Sequence, residues 1–120
     1  FVIPVGATIN MDGTAIMQGL ATMFIASTAG VDLSMIEYLQ IVLLAMVASI
    51  GAAAVPSAGT ITLALILSSL GLPLDAIGLI LAVDRILDMI RTSVNVTGDS
   101  AIACIVADSE NLLDKEVFNK

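Results

Sequence analysis

The sequence lacks the residue types on which most enzymes and nucleic-acid-binding proteins depend. Histidine and tryptophan are absent, aromatic residues make up 3% of the chain, and Lys and Arg together number 4. Without histidine there is neither a Ser/His/Asp nor a Cys/His catalytic set, so an enzyme is the least expected class. A net charge of −7 leaves no basic patch, and no nucleic-acid partner is predicted.

Cysteine is almost missing as well. The single Cys104 permits no internal disulfide, and the chain has no paired Cys or His ligands for zinc. The 120 residues begin at Phe1 rather than at a methionine, with no signal-peptide pattern. We therefore expect a piece of a longer protein, with one domain at most.

Apolar residues are in excess. They make up 58% of the chain and charged residues 12%, against about 45–50% and about 25% in typical soluble proteins. This composition predicts a membrane protein, and the helical segments described below make the predicted fold class all-α. The scarcity of aromatic residues counts mildly against it, because the ends of spanning helices usually carry an aromatic belt.

One stretch near the C-terminal end, Asp84–Asp99, combines charged and apolar residues at helical spacing. At about 100° per residue, five side chains fall within about 80° of one helix face and form what we call the polar stripe: Asp84, Asp88, Arg91, Asn95 and Asp99. Ionisable groups in hydrocarbon are costly unless they are paired or face a cavity, so the stripe indicates an ion or substrate path. The alternative is an amphipathic helix of a soluble bundle.

A second polar segment, Gly6–Thr14, interrupts the apolar N-terminal region. Irregular backbone at membrane depth is tolerated where it lines a cavity, and Asn10 and Asp12 offer hard oxygen donors for a cation such as sodium. The alternative is an Asx-type turn in which Asp12 caps the next helix. That helix, Thr14–Ala29, is too short to span a bilayer by itself.

The middle of the chain, Ser34–Leu70, predicts a re-entrant helical hairpin. Two apolar arms flank a tip of small residues, Gly51–Gly59, which lets the backbone approach a ligand closely. Ser34 and Glu37 have the spacing of a capping box at the start of the first arm. A soluble helical hairpin or a helix dimer built on small residues is the alternative. The uncharged tip would be a poor soluble surface, which favours the re-entrant hairpin.

The last predicted helix covers Leu74–Ala107. Its ~34 residues would extend about 50 Å, enough to cross a bilayer with tilt. We expect Gly98 to kink or loosen this helix. Residues 108–120 read as a polar surface tail, whose two lysines favour a cytoplasmic C-terminus.

Three features occur in a characteristic order: the N-M-D-G-T run at Asn10–Thr14, the hairpin, and the R-T-S-V-N-V-T-G-D run at Arg91–Asp99. In this combination the sequence resembles the sodium-coupled glutamate/aspartate transporters, also called dicarboxylate/amino acid:cation symporters. The resemblance implies that this chain packs against the rest of a longer transporter chain in the lipid bilayer. The intact protein would be a multi-pass plasma-membrane protein that forms a homotrimer. It assigns residues 1–107 to the C-terminal part of the transport domain, with a broken transmembrane helix at 1–29, the re-entrant hairpin at 34–70 and the final transmembrane helix at 74–107.

The resemblance also implies how an acidic amino acid or a related dicarboxylate would bind. Arg91 would hold the side-chain carboxylate, because a planar guanidinium can bind it through two hydrogen bonds. Asp88 would take the α-amino group, and Asn95 would take the α-carboxylate. Further substrate contacts are implied at two threonines and at the hairpin tip: Thr14, Thr92, Val55 and Gly59.

Sodium is the coupling ion that the resemblance implies, at three sites. The first would combine the Asp99 carboxylate with three backbone carbonyls, those of Gly6, Asn10 and Asn95. The second would use the side chains of Asn10 and Asp12. The third would form only when the hairpin is closed, from the backbone carbonyls of Thr8, Ser49, Ile50 and Ala52.

One departure from the family pattern concerns Met89. Animal members carry an arginine directly after the aspartate that Asp88 matches, at a position associated with potassium counter-transport. Its absence here puts potassium coupling in doubt and favours a prokaryotic type. Two alternatives to sodium-coupled symport by alternating access remain: a pore or channel module lined by the hairpin, and a soluble helical interaction domain.

Overall fold

The computed structural model describes residues 1–51 and 58–119, and all regular structure in these ranges is helical, as predicted. A 3₁₀ turn at Leu74–Ala76 precedes the fifth of seven α-helices, whose bounds are α1 Val2–Ile9, α2 Asp12–Thr28, α3 Met35–Gly51, α4 Ala58–Ser69, α5 Ile77–Leu81, α6 Asp84–Ser109 and α7 Lys115–Phe118. Within these ranges no helix is both long enough and apolar enough to cross a membrane.

The predicted interruption of the N-terminal helix is present but short. It lies at Asn10 and Met11, whereas the sequence predicted irregular backbone over the whole of Gly6–Thr14. The Asn10 N–H still donates to the Gly6 carbonyl at 2.8 Å, so the helical pattern persists to the break. The alternative that Asp12 caps α2 is wrong, because Met11 occupies the cap position and Asp12 is the first helical residue. A carboxylate there still favours the positive end of the helix dipole.

Helices α3 and α4 form the two arms of the predicted hairpin and pack against each other. The Ser34 N–H and hydroxyl each donate to Glu37 Oε2 at 2.7 Å, and the Glu37 N–H lies 3.4 Å from Ser34 Oγ. The predicted capping box is therefore confirmed. Ala52 and Val55, which the sequence placed at the hairpin tip, lie outside the described residues.

The prediction of one continuous helix over Leu74–Ala107 is wrong. The structure has the 3₁₀ turn, then α5, and only then α6, which begins at Asp84. Val83, immediately before it, has φ −115° and ψ 2°, which departs from α-helical geometry and separates α6 from α5, which ends at Leu81. The Asp84 carboxylate in the first turn of α6 then faces the positive end of the helix dipole. Gly98 does not end α6, which continues through it.

Helix α2 lies at the centre of the packing, in contact with α3, α4 and α6. The buried apolar core joins α2 to α4 and to the segment around α5, through Ala21, Ile25, Ala26, Leu63, Leu67, Leu72 and Ile80. One polar contact crosses the same interface, because the fully buried Gln18 donates its side-chain amide to the Thr62 hydroxyl. The second arm of the hairpin is thus held directly on α2.

Large apolar side chains also cover much of the outer surface. Many of them are more than half exposed, for example Ile36, Val47, Leu65, Met89 and Ile105. Apolar surface on this scale marks contact with another protein segment or with lipid. The described residues therefore bury a small apolar core and leave many large apolar side chains exposed.

Gly13 lets α2 approach α6 closely. A Cβ atom at this position would lie 2.5 Å from the Arg91 carbonyl oxygen and 3.0 Å from Val94 Cβ. We expect Gly13→Ala to lower the free energy of unfolding of the full-length protein by about 1–3 kcal/mol, the usual cost of overpacking. The measurement is the thermal unfolding midpoint of the purified protein. Gly19→Ala is the matched control in the same helix, because nothing lies within 4 Å of its Cβ position; equal midpoints for the two variants would contradict this close packing.

Candidate functional site

The break between α1 and α2 packs against the polar stripe of α6. Asn10 Nδ2 donates to Asp99 Oδ1 at 3.1 Å, and the Gly13 N–H donates to Asn95 Oδ1 at 2.9 Å. Asn95 Nδ2 in turn donates to Thr14 Oγ1 at 3.4 Å. These contacts join segments more than 80 residues apart in the chain. The C-terminal half of the stripe therefore faces protein, which argues against a polar face turned to water.

Asp99 is a carboxylate held away from solvent. The residue is 9% exposed, and Gly6 of α1 lies so close to Asp99 Oδ1 that any side chain at Gly6 would collide with it. A buried carboxylate is costly unless hydrogen bonds or a positive charge compensate it. In the described part of the chain, Asn10 supplies its one side-chain hydrogen bond. The remaining lone pairs of Asp99 can accept a cation.

Arg91 lies in the middle of the stripe, against the first turn of the α4 arm. Its side chain is 12% exposed and forms an ion pair with Asp88, whose side chain is 46% exposed. Gly59 of α4 is in close contact with the Arg91 guanidinium, and a Cβ at Gly59 would collide with Nη1. Because a guanidinium can bind a carboxylate through two parallel N–H···O bonds, this position can hold an anion beneath the hairpin.

A cleft of about 740 Å³ lies between α2 and α3 and reaches the helix break at Asn10 and Met11. Asn10 and Asp12 line it from the break, and Ser49 and Ile50 line it from the last turn of α3. The last carbonyls of an α-helix have no partner within the helix, so the C-terminal ends of α1 and α3 carry partial negative charge. These carbonyls and the Asp12 carboxylate are hard oxygen donors of the kind that suit sodium.

Some predicted site residues are not brought into these contacts. Thr8 is exposed near the end of α1, and Thr92 is exposed on α6 in a surface groove that Asp88 also lines. The buried Ser49 uses its hydroxyl to donate to the Met46 carbonyl at 2.9 Å. Within residues 1–51 and 58–119, no three acidic or cysteine side chains gather as a metal-binding cluster.

Sequence reasoning did not predict how two glycines, Gly13 and Gly98, shape this site. A Cβ at Gly98 would lie 3.0 Å from Asn10 Nδ2 and 3.2 Å from Asp12 Oδ2. The sequence predicted a kink at Gly98, whereas its visible contribution is space for two neighbouring side chains. A glycine inside a helical pattern is the available signal, because it often has a packing or functional reason.

The buried Asp99 carboxylate, the Arg91 guanidinium against the α4 arm and the helix ends at the cleft are groups that can bind small charged solutes. Ionisable groups held away from solvent in a largely apolar helical chain are typical of solute-transport proteins. The chain belongs to the sodium:dicarboxylate symporter family, whose model matches residues 1–109. That family consists of symporters, which confirms the prediction that the protein is not an enzyme and favours transport over the pore and soluble-domain alternatives.

The chain is similar to several animal transporters. It is 56% identical over 106 residues to an excitatory amino acid transporter of Onchocerca volvulus, a match that covers 88% of this chain and 22% of the relative. It is 51% identical over 120 residues to excitatory amino acid transporter 1 of Rattus norvegicus, covering 100% of this chain and 22% of the relative. It is 56% identical over 106 residues to excitatory amino acid transporter 2 of Mus musculus, covering 88% of this chain and 18% of the relative.

The chain thus spans about a fifth of the length of these relatives. All three relatives come from animals, so they lend no support to the predicted prokaryotic type.

Proposed function

We propose that this chain is the C-terminal part of the transport domain of a sodium-coupled symporter that carries acidic amino acids by alternating access. The observation that carries the proposal is that two largely buried charged residues of α6 contact both other parts of the site. Asp99 contacts the helix break through Asn10, and Arg91 contacts the α4 arm at Gly59. The relatives are named excitatory amino acid transporters and the family description names a dicarboxylate, and together these names support an amino acid with two carboxylates as the substrate. The predicted divisions of the domain, at 1–29, 34–70, 74–107 and a tail at 108–120, belong to the same proposal.

The ion pair between Arg91 and Asp88 suggests how such a substrate binds. An acidic amino acid carries both charges needed to replace this ion pair. Its side-chain carboxylate can bind Arg91, and its ammonium group can bind Asp88. A dicarboxylate without an amino group would leave Asp88 unpaired beside the bound anion, so an amino acid is the favoured ligand. Asn95 takes the α-carboxylate through its amide N–H, and the remaining contacts are those of Thr14, Thr92, Val55 and Gly59.

Sodium, the co-transported ion in the family's description, would occupy the three sites assigned above. Asp99 and Asn10 contribute to the first, and Asn10 is shared with the second, where Asp12 supplies the charge. The third draws carbonyls from α1 and from the hairpin, so it forms only when the hairpin is closed. Sodium and substrate then favour the same closed state, and each raises the affinity of the other.

The exposed apolar surface supports a setting among lipids and the other segments of the transporter chain. Side chains such as Val47, Leu65 and Ile105 would be costly to leave in water in such numbers. We place the intact protein in the plasma membrane as a multi-pass homotrimer, with this chain inside each transport domain.

The test is uptake of radiolabelled L-aspartate by the full-length protein reconstituted in liposomes. We expect uptake driven by an inward sodium gradient and none when choline replaces sodium outside. Unlabelled L-glutamate should compete better than malate, because malate lacks the ammonium group that pairs with Asp88. Sodium-independent uptake would contradict the proposal. A flux that does not saturate with substrate would also contradict it and would indicate a pore.

A further inference from the structure

We propose that Gly98 is a positioning residue that sets the width of the gap between α6 and the side chains of Asn10 and Asp12, and through it the affinity and selectivity for sodium. We call this space the Gly98 gap. The inference rests on the proposed function, because it assumes that Asn10 and Asp12 bind the co-transported cation. It assigns a role to a residue that itself offers no ligand atom from a side chain.

The geometry of the gap is tight on two sides. A Cβ at Gly98 would lie 3.0 Å from Asn10 Nδ2 and 3.2 Å from Asp12 Oδ2, so both side chains would have to shift by a few tenths of an ångström. Asn10 is not free to move away, because its Nδ2 donates to Asp99 Oδ1 at 3.1 Å. A methyl group here would therefore disturb residues of two proposed sodium sites, Asp99 in the first and Asn10 and Asp12 in the second.

The two neighbours would respond differently. Asp12 is exposed on its outer side, at the first position of α2, so its carboxylate can turn towards solvent. That movement would take the charged ligand out of the gap. Asn10 would instead press on the Asp99 carboxylate, which is 9% exposed. Because ion selectivity depends on cavity size and on the number of ligands, both changes should alter which cation fits.

Helix formation by itself does not explain this glycine. Glycine is a poor helix former, and α6 runs through Gly98 without interruption, so propensity would favour alanine at this position. Gly78 in α5 shows the contrast, because nothing lies within 4 Å of its Cβ position. Within 4 Å of the Cβ position of Gly98 lie side-chain atoms of Asn10 and Asp12, the two residues proposed to bind sodium.

The experiment compares the full-length protein with its Gly98→Ala and Gly78→Ala variants. Sodium is titrated while binding of L-aspartate to the detergent-purified protein is followed, and uptake in liposomes is measured with sodium and with lithium. For Gly98→Ala we expect the half-saturating sodium concentration to rise about tenfold, equivalent to about 1.4 kcal/mol. The KM for L-aspartate at saturating sodium should stay near wild type, and the lithium-to-sodium activity ratio should change. Gly78→Ala should match wild type in all three.

Two results would overturn the inference. One is an unchanged sodium affinity and lithium-to-sodium ratio in Gly98→Ala. The other is a loss of substrate binding that saturating sodium does not restore, since that pattern indicates a packing defect only. If wild type itself shows no sodium dependence, the proposed function fails, and this outcome is distinct from a failure at Gly98.

A second variant keeps the test decisive if Gly98→Ala does not fold. Asp12→Glu lengthens the carboxylate that borders the Gly98 gap, at an exposed position where the fold is not threatened. We expect it to weaken sodium binding in the same direction as Gly98→Ala. A sodium titration of Asp12→Glu that coincides with wild type would show that the gap does not constrain the ligands, and would overturn the inference.

Discussion

Replacing Arg91 with alanine in the full-length protein should strongly reduce uptake of L-aspartate. Its side chain is 12% exposed and pairs with Asp88, so its removal takes away the anion-binding group and leaves a carboxylate without its partner. Removing one partner of a buried charge pair, here the pair that the largely buried Arg91 would form with the substrate carboxylate, costs about 2–5 kcal/mol. At about 1.4 kcal/mol per tenfold change, kcat/KM should fall by roughly 30-fold to several thousand-fold. The measurement is the initial rate of sodium-driven uptake over a range of aspartate concentrations.

Arg85 provides the matched control for this prediction. It carries the same charge on the same helix, but its side chain is exposed and forms no ion pair among the described residues. Arg85→Ala should leave uptake close to wild type. Arg91→Lys should recover only part of the loss, because an ammonium group cannot reproduce two parallel hydrogen bonds to a carboxylate. Equal losses for Arg85→Ala and Arg91→Ala would contradict the assignment of Arg91 to the substrate.

Asp99→Asn should lower the apparent affinity for sodium without unfolding the protein. The change keeps the shape of a 9% exposed side chain and removes the negative charge that a cation would meet. Interactions with a charged group contribute about 1.5–3 kcal/mol, so we expect the half-saturating sodium concentration to rise by roughly 10- to 150-fold. Stability in sodium-free buffer should not fall, because a buried charge without a full set of partners has been removed. Sodium-dependent aspartate binding and thermal unfolding measure the two effects.

Asp108 is the matched control for Asp99. It lies on the same helix, but its side chain is 54% exposed and pairs with Lys115 at 3.1 Å on the surface. Such surface pairs contribute little, so Asp108→Asn should leave the sodium titration unchanged. If Asp99→Asn also left it unchanged, Asp99 would have to be removed from the proposed ion site.

Much of the candidate site could be predicted from the chain because its parts are local motifs. The polar stripe follows from side chains spaced at helical intervals, and α6 places Arg91, Asn95 and Asp99 against neighbouring protein. The capping box at Ser34 and Glu37 is equally local, since both partners lie within one helical turn. These features depend on the regular geometry of a helix, which the order of residues specifies directly.

The features that the sequence did not predict depend on contacts between distant segments. The helix predicted over Leu74–Ala107 is divided before Asp84, although its apolar composition continues across the break. The interruption near Asn10 is shorter than its polar composition suggested, because the helical pattern of α1 persists up to it. Gly98 was predicted to kink or loosen the helix, and instead it leaves room for the side chains of Asn10, in the break, and Asp12, in α2. No local pattern specifies which neighbour will fill the space beside a glycine.

By itself, the sequence determined that this is a helical chain with a charged stripe, a polar interruption and a hairpin, because each depends on composition and spacing along a few turns. Only the tertiary structure decided that the Asn10 side-chain amide donates to Asp99 and that the Arg91 guanidinium packs against the Gly59 backbone. The physical reason is that a buried charge must find its compensation wherever packing brings a partner, and packing unites residues that are far apart in the chain.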